Sequence, residues 1–163
     1  VITPDPVQPG QESVWDYPRP PRLEASLRHL RIVHRGVTIA DSRRALRLLE
    51  TSHPPSWYIP PADIALARLR AAAGSSFCEW KGRAVYRDVV VGDAVLAGVG
   101  WCYPAPTPGF VALQDHVAFY AAPFDSVTID GEQVRPQPGG FYGGWITADV
   151  AGPFKGIPGS QFW

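Results

Sequence analysis

PADIALARLRAAAG, Pro61 to Gly74, is the stretch on which the fold class turns. Alanine, leucine and arginine are strong helix formers, and a proline at the start of the run loses no needed hydrogen bond. Asp63 favours the N-terminal end of such a helix, Ile64, Leu66 and Leu69 form an uneven apolar face, and Gly74 ends it. The pattern predicts one main helix over about 62–73.

Upstream, SRRALRLLETS (Ser42–Ser52) places Ala45, Leu46, Leu48 and Leu49 so as to suit about two helical turns, capped by Ser42 or Asp41 and stopped by His53-Pro54-Pro55. LRHLRIVHRGVTIAD (Leu27–Asp41) reads as two short strands joined at Arg35-Gly36, with Leu30, Ile32, Val37 and Ile39 facing inward. WYIP (Trp57–Pro60) reads as a short strand.

Downstream of Ser75 the period becomes two. FCEWKGRAVYRDVVV (Phe77–Val91) and AVLAGVGWCYP (Ala94–Pro104) read as strands turned at Lys81-Gly82-Arg83 and Gly92-Asp93. Ala84 and Tyr86 then share one face, and Val85, Val89 and Val91 the other. VALQDHVAFY (Val111–Tyr120) suits a helical turn leading into a strand, and Asp130-Gly131 marks a hairpin. The expected class is α+β, mainly antiparallel β, in a single domain with one main helix.

The 163-residue length suits one core, and 15 basic against 15 acidic residues give no broad electrostatic case for nucleic acid or membrane. Only Cys78 and Cys102 are present, which points to a reducing, cytoplasmic setting. Lysine occurs only at Lys81 and Lys155. Eighteen prolines and sixteen glycines predict many turns. Six of the prolines lie in Val1–Arg22, so residues 1–27 read as an extended arm. Trp15 and Tyr17 are placed on one side of it, suited to docking on the domain or on a second copy in a homodimer. Residues 28–125 form the core domain, and 126–163 a hairpin and glycine- and aromatic-rich extension packed on it.

IADSRRALRLLETSHPPSWYIP, CEWKGRAVY, WCYPAP, HVAFY and PQPGGFYGGWIT, in that order, resemble the domain-of-unknown-function 427 family, common in actinobacteria and other microbes. The likeness runs from about Leu30 to Asp125. It implies a compact β-tent (Mss4-like) fold with extended N- and C-terminal segments, and no established activity. Many β-tent proteins hold structural zinc on two Cys-x-x-Cys pairs; with two unpaired cysteines here, a four-ligand site is not expected, and no metal or other cofactor is.

PQPGGFYGGWIT (Pro136–Thr147) lacks the helix and the Lys-Ser/Thr pair of a phosphate cradle, so its glycines are read as letting Phe141, Tyr142 and Trp145 form a pocket wall. In CEWKG, read as strand, Glu79 and Lys81 project to one face and Trp80 to the other. The expected function is binding of a small molecule in an aromatic-lined pocket. Its ligand-binding residues would be Tyr58, Trp80, Lys81 and Tyr86, with Trp101, Tyr103 and Tyr142. The alternatives are an enzyme using Lys81 and Glu79 with a tyrosine or His53, and an interaction module working through the arm.

Overall fold

A computed structural model describes residues 2–163; Val1, the first residue of the expected arm, lies outside the described residues. The described strands are β1 (Glu12–Ser13), β2 (Arg22–Ala25), β3 (Leu30–His34), β4 (Val37–Ser42), β5 (Leu46–Leu49), β6 (Ser56–Tyr58), β7 (Leu69–Cys78) and β8 (Gly82–Val91). They continue as β9 (Ala94–Cys102), β10 (Val117–Phe119), β11 (Ser126–Ile129), β12 (Glu132–Gln133), β13 (Arg135–Pro136), β14 (Trp145–Ile146) and β15 (Val150–Ala151).

Two four-stranded antiparallel sheets dominate, in the orders β10-β9-β8-β7 and β12-β11-β3-β4. A three-stranded sheet, β2-β5-β6, and the pairs β13-β14 and β1-β15 complete the fold, β1-β15 running parallel. Tight turns set the registers: Arg35-Gly36 and Asp130-Gly131 both take positive φ, at 48° and 75° and at 51° and 84°. This is the backbone of a two-residue hairpin loop whose twist matches its strands.

The β10-β9-β8 part of the first sheet is covered on both faces, while β7 is mostly exposed. Val85, Cys102, Val117 and Phe119 face the main core with Leu30, Ile32 and Ile129 of the second sheet. Ala84, Tyr86, Trp101 and Ala118 face the other way and pack with Leu48 and Tyr58 of β5 and β6. The alternation follows from the strand period: Val85 lies opposite Cys102, and Tyr86 opposite Trp101.

The expected α+β class, with its main helix over about 62–73, is overturned: the fold is mainly β and the helix is absent. Pro61–Asp63 and Leu66–Arg68 are single 3-10 turns, and from Leu69 the chain is strand. The apolar residues share no helix face, since Ile64 is buried while Leu66 is 51% exposed. Ala65 N–H bonds to Ile39 C=O at 2.8 Å, tying this segment to β4. β7 then pairs along β8 from Leu69 opposite Val89 to Cys78 opposite Gly82, with Arg70 joined to Asp88 at 3.2 Å. Helix propensity differs by only about 0.7 kcal/mol per residue among ordinary residues, so a neighbouring strand that takes up the backbone groups overrides it. Gly74, at φ 88°, does not stop a helix; it sits in the irregular register between Ala71 and Ser75.

The two turns expected at Ser42–Ser52 are likewise extended: Ser42 ends β4, and Leu46–Leu49 is β5, between β2 and β6. At Val111–Tyr120 a 3-10 segment, Pro108–Leu113, precedes β10.

The arm packs on its own domain. β1 pairs with β15, and Asp5 N–H bonds to Gly152 C=O at 2.8 Å. Val14–Asp16 is a 3-10 turn capped by Ser13, so Trp15 and Tyr17 do not lie on one straight extended segment. Val14 and Tyr17 are buried with Leu49, Ile146 and Val150, and Trp15 Nε1 donates to Pro153 C=O at 2.9 Å. Beside them, Arg47 bridges Glu12 and Glu24. Among the described residues, no helix is long and apolar enough to cross a membrane.

Candidate functional site

The sheet face that carries Tyr86 and Trp101 opens on a cavity of about 390 Å³. Its floor comes from β6, β8 and β9, with Tyr103 just beyond β9. Trp101 and Tyr58 meet edge to face, ring centroids 6.3 Å apart, and Trp101 Nε1 donates to Tyr58 Oη at 3.2 Å. Tyr120 stacks at a tilt on Trp101 at 4.8 Å and donates its hydroxyl to Phe141 C=O at 3.0 Å. Tyr86 Oη and Ser76 Oγ lie 2.8 Å apart, linking β8 to β7 within the wall.

The segment of residues 136–147 closes one side. Phe141, Tyr142 and Gly143 all line the cavity, and a Cβ on Gly143 would overlap the Trp101 ring. Only glycine lets the backbone lie flat on the indole here. At Gly144 a Cβ would meet Pro54 C=O at 2.6 Å, so the two glycines together seat this loop against the floor. Trp145, expected in the wall, instead belongs to the main core, and its Nε1 donates to Phe119 C=O at 2.8 Å.

Gln137 fixes the state of His53. The Gln137 Oε1 atom accepts from Gly144 N–H, and Nε2 donates to Lys155 C=O, both at 3.0 Å. The amide orientation is thereby set, so Nε2, 3.0 Å from His53 Nδ1, is a donor there and Nδ1 an acceptor. The neutral His53 ring then carries its proton on Nε2, which lies 3.8 Å from Glu50. Burial, with the charges of Lys155, Arg19 and Lys81 added, lowers the His53 pKa to about 4.

Both lysines of the chain line this one cavity. The Lys81 ammonium stands 5.4 Å from the centroid of the Tyr103 ring, and that of Lys155 stands 5.5 Å from that of Tyr142. Lys155 also donates to Trp163 C=O at 3.2 Å. Among the described residues neither lysine forms an ion pair with an Asp or Glu side chain. Burial works against the Lys81 charge, but Tyr58, Cys78 and Glu50 outweigh it and its pKa lies above the ordinary lysine value. Burial, with Tyr58 and Cys78 close by, pushes the Tyr103 phenol far above its usual range. Both phenol and ammonium hold their protons near neutral pH.

Apart from Trp145, the residues that the sequence nominated for the pocket line this cavity. Tyr58, Tyr86, Trp101 and Tyr103 form the floor; Trp80, Lys81 and Tyr142 the sides; Glu79 and His53 are also on its surface. The strand reading of CEWKG is corrected, because Glu79-Trp80-Lys81 is the turn between β7 and β8. A turn breaks the period of two, so Trp80 is not directed away from its neighbours. Glu79 is exposed and makes no ion pair with Lys81. His116 lies outside the cavity, near Gln114 C=O. Glu50, Gln137 and Lys155 were missed; the rarity of lysine was the one signal that pointed to Lys155. Cys78 lines the cavity and Cys102 is buried with a thiol pKa raised by burial. Among the described residues no group of three or more His, Cys, Asp or Glu side chains is placed to hold a metal ion.

No curated protein matches the chain. Residues 22–130 match a family described as Domain of unknown function (DUF427), a span that adds β2, β11 and Asp130 to the stretch expected from the motifs. The match covers about two thirds of the chain, and the protein belongs to the domain-of-unknown-function 427 family.

Proposed function

We propose that this protein is a small-molecule binding domain and that the aromatic cavity is its binding site. One observation carries the reading. Tyr58, Tyr86, Trp101, Tyr103 and Tyr142, drawn from four separate stretches of chain, converge on one cavity of about 390 Å³ beside a few fixed polar groups. Specific pockets of this size are mostly aromatic or apolar walls with a small number of placed polar atoms. The polar atoms here are held by the fold: Gln137 by two backbone partners, His53 by Gln137, Tyr58 by Trp101. Prearranged groups lower the ordering cost of binding.

The enzyme alternative needs a lysine that gives up its proton, or a carboxylate beside it. Lys81 keeps its proton and Glu79 is turned to solvent, which favours binding over catalysis.

Tryptophan emission tests the proposal, since Trp80 and Trp101 line the cavity. Planar small molecules are expected to change the emission saturably, and Tyr103→Ala is expected to abolish the change. Native mass spectrometry of the purified protein supplies a second reading, as added mass lost on denaturation. A chemically broad planar set that leaves the emission unaltered, with native mass equal to the bare chain, overturns it.

A further inference from the structure

Resting on the pocket reading above, we propose that the ligand is an anion: a small molecule whose planar ring lies among the aromatic walls and whose carboxylate or phosphate is held by Lys81 and Lys155.

The first ground is the distribution of lysine. The chain places its other positive side chains as arginine, mostly paired with Asp or Glu, while its two lysines both stand on the one cavity and neither pairs with an Asp or Glu side chain among the described residues. An ammonium has three N–H donors. Lys155 spends one on Trp163 C=O, which leaves the rest of its donors open. Open ammonium N–H donors facing a cavity can form charge-assisted hydrogen bonds to an incoming oxyanion.

The second ground excludes the opposite charge. A box of tyrosine and tryptophan rings suits a quaternary ammonium when the ring faces are open to it. Here the faces of Tyr103 and Tyr142 are already taken by the chain's own ammonium groups. The fixed charges near the site are Lys81, Lys155 and Arg19 against Glu50 and Glu79, with Arg19 lying 3.8 Å from Glu50. Arg19, which does not line the cavity, thus takes up part of the Glu50 charge, and Glu79 is exposed. His53 senses the same field: both lysines push its proton affinity down.

The third ground concerns the ring. The walls are Tyr58, Trp101, Tyr103 and Tyr120, mutually tilted or edge to face at 4.8–6.3 Å. Tilted aromatic walls receive a planar group by stacking and edge contacts. Phe77 and Phe141, 77% and 75% exposed, extend this character to the rim.

The test is a charge-matched panel titrated into the wild-type chain and followed by tryptophan emission: benzoate, phenyl phosphate, benzamide and benzyltrimethylammonium. Benzoate or phenyl phosphate is expected to bind at least tenfold more tightly than the other two, and to weaken as salt is raised. The stronger of the two anions tells carboxylate from phosphate. Lys81→Gln and Lys155→Gln are each expected to weaken the anion at least tenfold and benzamide by much less, and Lys81→Arg to retain part of the binding. Equal or tighter binding of benzamide or the ammonium overturns the anion inference and leaves the pocket reading standing. So do anion affinities that neither lysine substitution changes. Failure of all four probes at millimolar concentration overturns the anion inference, and the pocket reading then falls only if the broad planar set of its own test fails as well. The wild-type panel decides the matter even if a variant folds poorly.

Discussion

His53 shows how a side chain's state is set by its neighbours. It is buried, accepts from Gln137 at Nδ1, and has its pKa lowered from 6.5 to about 4 by burial and by Lys155, Arg19 and Lys81. In the unfolded chain the ring titrates near its ordinary value, so between about pH 6.5 and pH 4 the unfolded state binds a proton that the folded state refuses. The stability owed to neutral His53 is therefore full above pH 6.5 and is lost as pH falls toward 4. A depression of this size is worth about 3 kcal/mol over that window. In His53→Asn, the Oδ1 atom takes the place of Nδ1 as acceptor without a titrating ring. Urea melts across this range are expected to show wild type losing about 3 kcal/mol more than the variant. Parallel curves would refute the assignment.

β7 is the element where sequence and structure part. Its alanines, leucine and arginine favour a helix, yet it is the exposed edge of a four-stranded sheet. The strand is held by its pairing with β8, not by its own preferences. Ala71, exposed and opposite Arg87, offers a direct check. Threonine is favoured in strands and disfavoured in helices, each by about 0.5 kcal/mol relative to alanine. Ala71→Thr is expected to raise the thermal midpoint slightly; a fall of that size would mean that the segment is helical. β8, in contrast, was legible. Its alternation sends Val85 and Val89 to the main core and Tyr86 to the cavity, because both faces of the sheet are covered at this strand.

At the scale of the molecule, the N-terminal arm is part of the fold. Val14 and Tyr17 are almost wholly buried, β1 pairs with β15, and Glu12 partners Arg47. Removing residues 1–21 exposes Leu49, Ile146 and Val150 and strips Arg47 of one carboxylate. Burial of each large apolar side chain contributes about 2 kcal/mol, partly offset by the entropy of ordering the arm. In a domain of this size about 1 kcal/mol moves the midpoint by 2–4 °C, so the truncated chain is expected to melt several degrees lower. An unchanged calorimetric midpoint would show that the arm contributes nothing.

What the sequence by itself determined was local. Glycine with arginine or aspartate at positive φ marked two hairpins, period-two runs marked β8 and β9, and the order of short motifs marked the family. Aromatic residues beside turns and the scarcity of lysine named much of the cavity before any coordinate was known. Only the tertiary structure decided that residues 69–78 are strand, because strand pairing is a contact with other residues and outweighs small intrinsic preferences. It alone brought Lys155 and Gln137 to His53, and Glu50 to Lys81, from segments far apart in the chain. A protonation state depends on burial and on charges across space, and neither is written in the spacing of residues along one strand.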